Sequence, residues 1–473
     1  MRSLKVTQGS ATGLRAASRV PRSLGLLTAR TPALSPSLSS TSLRPTTAVS
    51  LSPAALRAPA RLYSSASSPS SLAPDALRKT PLYDLHLAHG AKMVPFGGFH
   101  MPVQYSGLSV SASHAFTRER ASLFDVGHMV QRLFRGPGAA AFLERVTPSA
   151  PASLGPHRST LSTLLHPRTG GIVDDTIITK LPGDEGFYVV TNAACREKDD
   201  AYFAGELEAF RAGGGLEVSH SELEGWGLVA LQGPLAAEIL GAALADPDAV
   251  DLKTVYFGSS VKARLRLVGA EPSSPLLISR GGYTGEDGFE ISIPPEETAA
   301  VTESLLAAAT PERLQLAGLG ARDSLRLEAG MCLYGHDLDD TTTPVEAGLS
   351  WIIPKERRGG DGGGFHGAEV ILKQLVPKTK GGLGVERRRV GLIVEGAPAR
   401  EGAEIFSADG EKIGKVTSGC PSPTLGKNIA MGYIKDGFHK SGTEVSVAVR
   451  GKPRKAAVTK MPFVPTKYWK GAA

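Results

Sequence analysis

The chain has 473 residues, more than one ordinary hydrophobic core accommodates, so two or three domains are expected. Its formal charge of +7 originates in the first 74 residues, which contain nine Arg and Lys and neither Asp nor Glu. The remaining 44 Lys and Arg are balanced by 46 Asp and Glu, so the charge gives no support to nucleic-acid binding by the folded part.

Residues 1–63 are predicted to be a mitochondrial transit peptide. They are rich in Arg, Ser, Ala and Leu, and they contain no apolar run of about 18 residues that could span a membrane. The stretch RLYSSAS is similar to a matrix-processing site, with cleavage between Tyr63 and Ser64. A disordered Ser/Pro-rich tail and a plastid address are the alternatives. We therefore expect a mitochondrial matrix protein without a membrane segment, with residues 64–79 as a disordered spacer.

The cysteine and glycine patterns argue against common cofactors. Three cysteines lie far apart with no CxxC motif, which indicates neither a thiolate zinc site nor a disulfide framework. Gly362, Gly364 and Gly367 match G-x-G-x-x-G, but the charged run 355–358 precedes them where a dinucleotide fold needs an apolar strand. We therefore expect no metal, no NAD and no flavin.

Residues 80–355 have the pattern of an α+β region. Strand-like segments such as FYVVTNA and GLVALQG alternate there with Ala/Leu-rich helical segments such as GPLAAEILGAAL. At the start, Leu82, Leu85, His86 and His89 fall near one helical face. Because no third ligand lies nearby, both histidines are interpreted as partly exposed helix residues and not as metal ligands.

The C-terminal part is predicted to be a separate domain. Residues 356–386 are Gly-rich and charged and are interpreted as a linker. Residues 387–468 show short strand patterns and two hairpin signals, one around Asp409 and Gly410 and one around Gly451 to Pro453. We expect a small β-barrel or sandwich.

Two adjacent aspartates in the strand-like stretch GGIVDDTIITK are the first candidate for chemistry. Strands disfavour Asp, and a buried carboxylate without partners is costly. Alternation along a strand places Asp174 with Thr176, and Asp175 with Val173 and Ile177 on the opposite face. At most one of the two is therefore expected to be catalytic, while the other caps a turn or faces water.

Glu290 and Arg322 are the second candidate. Glu290 lies in the strand FEISI, on the face opposite Phe289 and Ile291, and Arg322 lies near the start of a predicted helix. Together they could form an ordinary salt bridge, or they could present acceptors and donors to the edge of a flat heterocycle.

Ten segments in order resemble the aminomethyltransferase, or T-protein, family of the glycine cleavage system. The match runs from about Thr80 to Tyr468, nearly the whole mature chain. The segments include SLFDVGHM, GGIVDDTIITK, VVTNAACREKD, GGYTGEDGFE, GLGARDSLRLEAGMCLYGHDLDD, SGCPSPTLGKNIAMGYI and KMPFVPTKYW.

The resemblance implies an α+β fold, a three-domain folate-binding cloverleaf with a C-terminal small β-barrel domain. Residues 80–355 would hold two intertwined α+β domains. The implied reaction transfers the one-carbon unit of the aminomethyl group on lipoyl H-protein to tetrahydrofolate and releases ammonia. The expected partners are H-protein, tetrahydrofolate and the other glycine cleavage components, with neither nucleic acid nor membrane.

The resemblance also implies roles for individual residues. The second aspartate of the pair, Asp175, matches the catalytic residue. The implied folate- or substrate-binding residues are Glu290, Arg322, Tyr468, Asn192, Met129 and Tyr283. The sequence departs from the usual family pattern at Phe99, Gly127, Leu161 and Met331.

Three related functions are alternatives. A folate-binding iron–sulfur cluster assembly factor keeps the fold, but its cysteine signature is missing from GLGARDSLRLEAG. A demethylating dehydrogenase would need an additional flavin domain. A subunit that only docks H-protein would have no need for Asp175, Glu290 and Arg322 together.

Overall fold

The computed structural model describes residues 77–359 and 363–471. The predicted transit peptide, residues 64–76 of the predicted spacer and Gly362 lie outside the described residues. In chain order, residues 77–359 form these helices and strands: α1 (Tyr83–Ala88), β1 (Ala91–Phe96), β2 (Phe99–Tyr105), α2 (Val110–Glu119), β3 (Ala121–Asp125), β4 (Val130–Arg135), α3 (Ala139–Val146), β5 (Ser159–Leu165), β6 (Ile172–Lys180), β7 (Phe187–Thr191), α4 (Arg196–Ala212), β8 (Ser219–Glu222), β9 (Gly227–Gln232), α5 (Ala236–Ala243), β10 (Ser259–Ala263), β11 (Leu276–Arg280), β12 (Gly288–Ile293), α6 (Thr298–Ala307), β13 (Leu314–Ala317) and α7 (Leu319–Glu328).

Two large sheets share this region, in addition to a two-stranded sheet of β1 and β2. The six-stranded sheet has the order β10-β11-β12-β9-β3-β13, and the five-stranded sheet has the order β5-β6-β7-β4-β8. The chain leaves the first sheet after β3, builds the second with β4 to β8, and returns at β9. All pairs are antiparallel except β3 with β13. The two sheets are therefore interleaved along the sequence.

Each sheet buries one face under its own pair of helices. On the six-stranded sheet, Ile239 of α5 and Val301 of α6 pack with Leu231 and Phe289. On the five-stranded sheet, helices α3 and α4 cover residues such as Phe134. The period of two in the strands and of 3.6 in the helices produces these apolar faces, as the sequence patterns predict.

The opposite faces of the two sheets meet each other. The cluster between them contains Phe124 of β3, Leu133 of β4, Tyr188 of β7, Leu228 of β9 and Leu325 of α7. Polar residues on these faces are consequently held between two sheets and α7. This inter-sheet space is where the candidate site lies.

The C-terminal residues form a closed six-stranded barrel, which confirms the predicted β-barrel. A helix precedes the strands, and the elements are α8 (Ala368–Leu375), β14 (Arg387–Val394), β15 (Glu404–Phe406), β16 (Lys412–Ser422), β17 (Lys427–Lys435), β18 (Glu444–Val449) and β19 (Lys452–Thr459). The barrel order is β14-β17-β16-β15-β18-β19. Arg450 and Gly451, which connect β18 and β19, both have positive φ angles of 51° and 73°, as a two-residue hairpin turn requires. The chain combines helices, two large sheets and this barrel, which confirms the α+β class.

Two contacts fix the barrel to α7. Glu328 accepts hydrogen bonds from Ser422 Oγ and Thr424 Oγ1 in the β16–β17 turn region. Arg326 donates a hydrogen bond of 2.7 Å to Asp337 and one of 3.0 Å to Ser418 of β16. One helix thus connects the inter-sheet space to the barrel.

The predicted spacer and linker contain ordered contacts. Leu77 is buried, and the backbone N–H of Arg78 donates to the carbonyl of Gly98 at 3.0 Å. Within 356–386, helix α8 buries Ala368 and Ile371. The domain boundaries themselves stay predictions.

The interpretation of His86 as partly exposed is wrong. Its side chain is fully buried, and its Nε2 lies 2.8 Å from Asp125 Oδ2 while Tyr105 contacts Nδ1 at 2.9 Å. Periodicity places His86 on one helix face correctly but contains no information on the strand β3 that covers it. His89 is exposed.

Candidate active site

The two aspartates of β6 lie beside the end of β7. Strand β6 pairs with β7 only from Ile177 onward, so Asn192, which follows β7, places its side chain next to the unpaired part. Asn192 donates from its backbone N–H and its side-chain Nδ2 to Asp174, at 2.8 Å each. The same Nδ2 donates a hydrogen bond of 2.9 Å to Asp175 Oδ1. Asn192 therefore holds both carboxylates by hydrogen bonds.

The expectation that Asp174 caps a turn or faces water is wrong. Its side chain has 0% exposure. The register between β5 and β6 shifts next to Asp174, where Val173 has no partner and forms a bulge. Val173 and Ile178 pack into the same core cluster although strict alternation puts them on opposite faces. A bulge disturbs alternation in this way, and sequence periodicity does not reveal it.

Asp175 is half-buried and has an altered acidity. Burial, and next the charge of Asp174, raise the pKa of Asp175 to about 7, although the hydrogen bond from Asn192 opposes the rise. A carboxyl group with this pKa can accept and return a proton near neutral pH. This is the property expected of a general acid/base residue.

Glu290 of β12 and Arg322 of α7 lie close enough for their charges to act on each other. Glu290 pairs with Ala230 of the inter-sheet cluster, while Phe289 and Ile291 belong to the opposite core, which confirms the predicted alternation. Burial raises the pKa of Glu290, and the charge of Arg322 opposes this. Among the described residues no salt bridge joins the two, so the simple ion-pair alternative is not what the structure contains.

Arg322 has a hydrogen-bond donor that the described residues do not use. Its guanidinium carbon lies 4.8 Å from the ring centroid of Tyr283. Its Nη1 atom is buried, and in the described part of the chain it has no hydrogen-bond partner. A buried unpaired N–H costs free energy, so this atom is available for a bound acceptor.

Tyr283 connects the two halves of the site. Burial raises its pKa, and the charges that act on it include those of Arg326, Asp175 and Arg322. Its hydroxyl donates to the carbonyl of Cys332. Met129 packs against the same inter-sheet cluster. Six of the seven predicted residues thus lie in or beside the inter-sheet space, namely Asp175, Asn192, Glu290, Arg322, Tyr283 and Met129.

Tyr468 lies in a different group of side chains. Its ring stacks on Phe257 with a centroid distance of 4.2 Å. Burial raises its pKa to about 12, with Arg118 lowering and Glu286 raising it. Over the described ranges no hydrogen bond connects Tyr468 to Glu290, so its predicted role stays a prediction.

Sequence reasoning missed two buried polar residues near the site. His128 is 3% exposed; burial lowers its pKa to about 4, with Asp125 raising it and Arg322 lowering it further. Asp199, on α4 behind Asp174, has 0% exposure. The signal for Asp199 was weak, because a charged residue in the polar helix stretch REKDD is usually exposed.

Among the described residues, neither a metal-binding group of side chains nor either of two clefts coincides with this site. Residues 77–359 and 363–471 contain no group of three His, Cys, Asp or Glu side chains arranged to hold a metal ion. They also include no helix with the length and apolar character to cross a membrane.

Clefts of about 330 and 210 Å³ are lined by other residues, such as Lys92 and Ser109 in one and Trp351 in the other. The candidate site is therefore defined here by its polar groups.

Comparison with known proteins indicates the family of the chain. Residues 82–357 match the family described as the GCVT N-terminal domain, and residues 387–465 match the glycine cleavage T-protein C-terminal barrel domain. A probable mitochondrial aminomethyltransferase of Schizosaccharomyces pombe is 51% identical over 85% of this chain and 96% of its own length. The mitochondrial aminomethyltransferase of Saccharomyces cerevisiae is 46% identical over 83% of this chain and 96% of its own.

A solved structure indicates the same family. The crystal structure of glycine cleavage system aminomethyltransferase T from Bartonella henselae superimposes with a TM-score of 0.72 and 39% identity, covering 83% of this chain and all of that one. The two domain matches together span most of the described residues. The chain therefore belongs to the aminomethyltransferase, or T-protein, family of the glycine cleavage system.

Proposed function

We propose that the inter-sheet site transfers the one-carbon unit of an aminomethyl group, carried on the lipoyl arm of H-protein, to tetrahydrofolate with release of ammonia. The observation that carries this is a carboxyl group of pKa about 7, Asp175, in the same space as the Glu290 and Arg322 pair. Membership of a family whose named relatives are aminomethyltransferases supports the reaction.

The net chemistry needs protons to move. The methylene carbon exchanges its bonds to sulfur and to nitrogen for two bonds to folate nitrogens. The two folate N–H protons end on the lipoyl thiol and on ammonia. Asp175 in its ionised form accepts a proton from the attacking amine and returns it to a leaving group, a contribution worth roughly 100-fold to 10,000-fold in rate.

Glu290 and Arg322 are proposed to recognise the pterin. A pterin presents an N–H and an exocyclic NH₂ side by side, and one carboxylate can accept both. Arg322 Nη1, which has no partner among the described residues, is free to donate to an acceptor on the ring. Asn192 holds Asp175, while Met129 and Tyr283 form walls and Tyr468 contacts substrate.

The location and partners follow from the same proposal. Relatives that are 51% and 48% identical to this chain are named as mitochondrial, which supports a mitochondrial protein. We propose the matrix, with H-protein and the other glycine cleavage components as partners. Tetrahydrofolate is the only small cosubstrate we propose.

The test combines the purified chain, aminomethyl-loaded lipoyl H-protein and tetrahydrofolate. Ammonia and methylenetetrahydrofolate are measured together, with Asp175→Asn in parallel. We expect equal yields of the two products and their loss in the variant. Tight folate binding without either product would favour the iron–sulfur assembly factor instead, a reading that the aminomethyltransferase names of the relatives do not favour.

A further inference from the structure

A second buried carboxyl group lies behind the aspartate pair. Asp199 on α4 has 0% exposure, and its side chain contacts the carboxyl group of Asp174 at hydrogen-bond range. Neither Oδ1 nor Oδ2 of Asp199 receives a hydrogen bond from any donor in the described residues. Two fully buried carboxyl groups are therefore in contact, and one of them has no N–H or O–H to stabilise a charge.

Two ionised carboxylates in contact inside a protein repel strongly, so such a pair holds one proton between them. The hydrogen bonds indicate which partner is ionised. Asp174 accepts two N–H groups of Asn192, the pattern of a carboxylate. Asp199, with no other donor, must then supply the O–H. Burial and the charge of Asp174 raise the pKa of Asp199 well above its ordinary value.

The cations near Asp199 form salt bridges with other acidic residues. Arg132 Nη1 lies 2.6 Å from Asp200 Oδ1, while its Nη2 is buried without a hydrogen-bond partner in the described residues. Lys198 Nζ lies 2.6 Å from the hydroxyl of Tyr334 and 3.3 Å from Asp340. The titratable and charged groups that face Asp199 are Asp174, Cys195, Arg132, Lys198, Tyr202 and Tyr334. Both cations form salt bridges with other acidic residues, and neither forms one with Asp199 in the described part of the chain.

We propose that Asp199 is a positioning residue whose protonated carboxyl donates to Asp174 and thereby keeps Asp174 as the acceptor that orients Asn192 toward Asp175. Asn192 Nδ2 reaches Asp174 and Asp175 at 2.8 and 2.9 Å, so a change at Asp174 is transmitted directly to Asp175. The shared proton also limits the charge beside Asp175 to one unit. The catalytic part of this inference rests on the proposed function, whereas the shared proton does not.

Infrared spectroscopy of the substrate-free chain tests the shared proton. At about pH 8.5, above the pKa of Asp175, that residue is mostly ionised. We expect a carboxylic-acid C=O band that shifts in D₂O, persists in Asp175→Asn and disappears in Asp199→Asn. Glu208→Gln, an exposed substitution on the same helix, is the matched control and should keep the band. A band that survives Asp199→Asn, or no such band in the unaltered chain, would overturn the proposal.

Kinetics test the positioning role. Asp199→Ala should lower kcat about tenfold, equal to about 1.4 kcal/mol, while KM for tetrahydrofolate changes less than about twofold. Asp199→Asn should recover most of kcat, because its amide can donate to Asp174 as the protonated acid does. Equal impairment of both variants, or an unaltered kcat in Asp199→Ala, would contradict the role.

Failure of this proposal and failure of the proposed function can be distinguished. The infrared band needs no turnover, so a chain without transferase activity can still show it. If Asp199→Ala does not fold, as judged by circular dichroism, the band in Asp199→Asn decides. If Asp199 were ionised, the Asp199→Asn variant should instead have a lower melting temperature than the Glu208→Gln variant.

Discussion

Asn192 donates a hydrogen bond of 2.9 Å from its side-chain nitrogen to the carboxylate of Asp175. The same atom also donates to Asp174, so the acidity of Asp175 depends on both Asn192 and Asp174. A donated N–H stabilises the ionised form, whereas burial and the adjacent negative charge destabilise it. The balance leaves Asp175 ready to exchange a proton near neutral pH.

Replacing the Asp175 carboxyl group should remove catalysis and spare binding. Asp175→Asn keeps the size and can still hydrogen-bond, but it cannot accept a proton. We expect kcat to fall by roughly 100-fold to 10,000-fold, with the Kd for tetrahydrofolate changed by less than about fivefold. Steady-state rates and calorimetry measure the two effects. Asp184→Asn, at an exposed loop position, is the control, and normal turnover by the Asp175 variant would disprove the assignment.

The pH dependence of kcat/KM should report the ionisation of Asp175. Because the ionised carboxylate accepts the proton, activity is low below its pKa and rises as pH increases through about 7. Beyond that pH the profile levels off. The same profile for Asp175→Asn should lack this rise in its residual activity. A rise with an unchanged midpoint in the variant would assign the ionisation to another group.

Removing the carboxyl group of Glu290 should weaken folate binding. The charge-assisted contact to the pterin would be lost. One hydrogen bond to a charged group is worth about 1.5 to 3 kcal/mol, so Kd should rise by at least roughly 10-fold to 150-fold. Glu290→Ala measured by isothermal calorimetry gives this value directly. Glu296→Ala, an exposed glutamate shortly after β12, should bind as the unaltered chain does. Unchanged affinity in Glu290→Ala would exclude Glu290 from the folate site.

Stability at acidic pH should depend on Glu328. Although burial raises it, hydrogen bonds from His114, Ser422 and Thr424 lower the pKa of Glu328 from 4.5 to about 2. The folded-state pKa lies below the unfolded one, so the stabilisation is complete above about pH 4.5 and is lost as pH falls toward 2.

Glu328→Gln removes this ionisation. We expect the free energy of unfolding at pH 7 to fall by about 2 kcal/mol, because Arg118 loses one of its two buried charge partners and keeps Glu286. The decline in melting temperature between pH 4.5 and 2 should also be shallower than in the unaltered chain. Urea unfolding followed by circular dichroism at several pH values measures both. Glu119→Gln, exposed at the end of α2, is the control, and identical acid profiles would contradict the assignment.

The sequence by itself determined the local elements and much of the candidate site. Hydrophobic periodicity predicted the strands around Asp175 and Glu290, the helix of Arg322 and the barrel hairpins, because these patterns record which face of an element is buried. Alternation showed that Glu290 faces away from Phe289, and the structure confirms it. Resemblance to the T-protein family selected Asp175 from the pair.

Tertiary structure alone decided which side chains meet. Periodicity gives the direction of a side chain relative to its own strand or helix, but not what another element brings against it. It therefore could not show that Val173 forms a bulge, that Asp174 is buried with Asp199 behind it, or that α1 buries His86 against β3. The pKa of Asp175 arises from such contacts between distant segments, and they exist only once the two sheets have packed together.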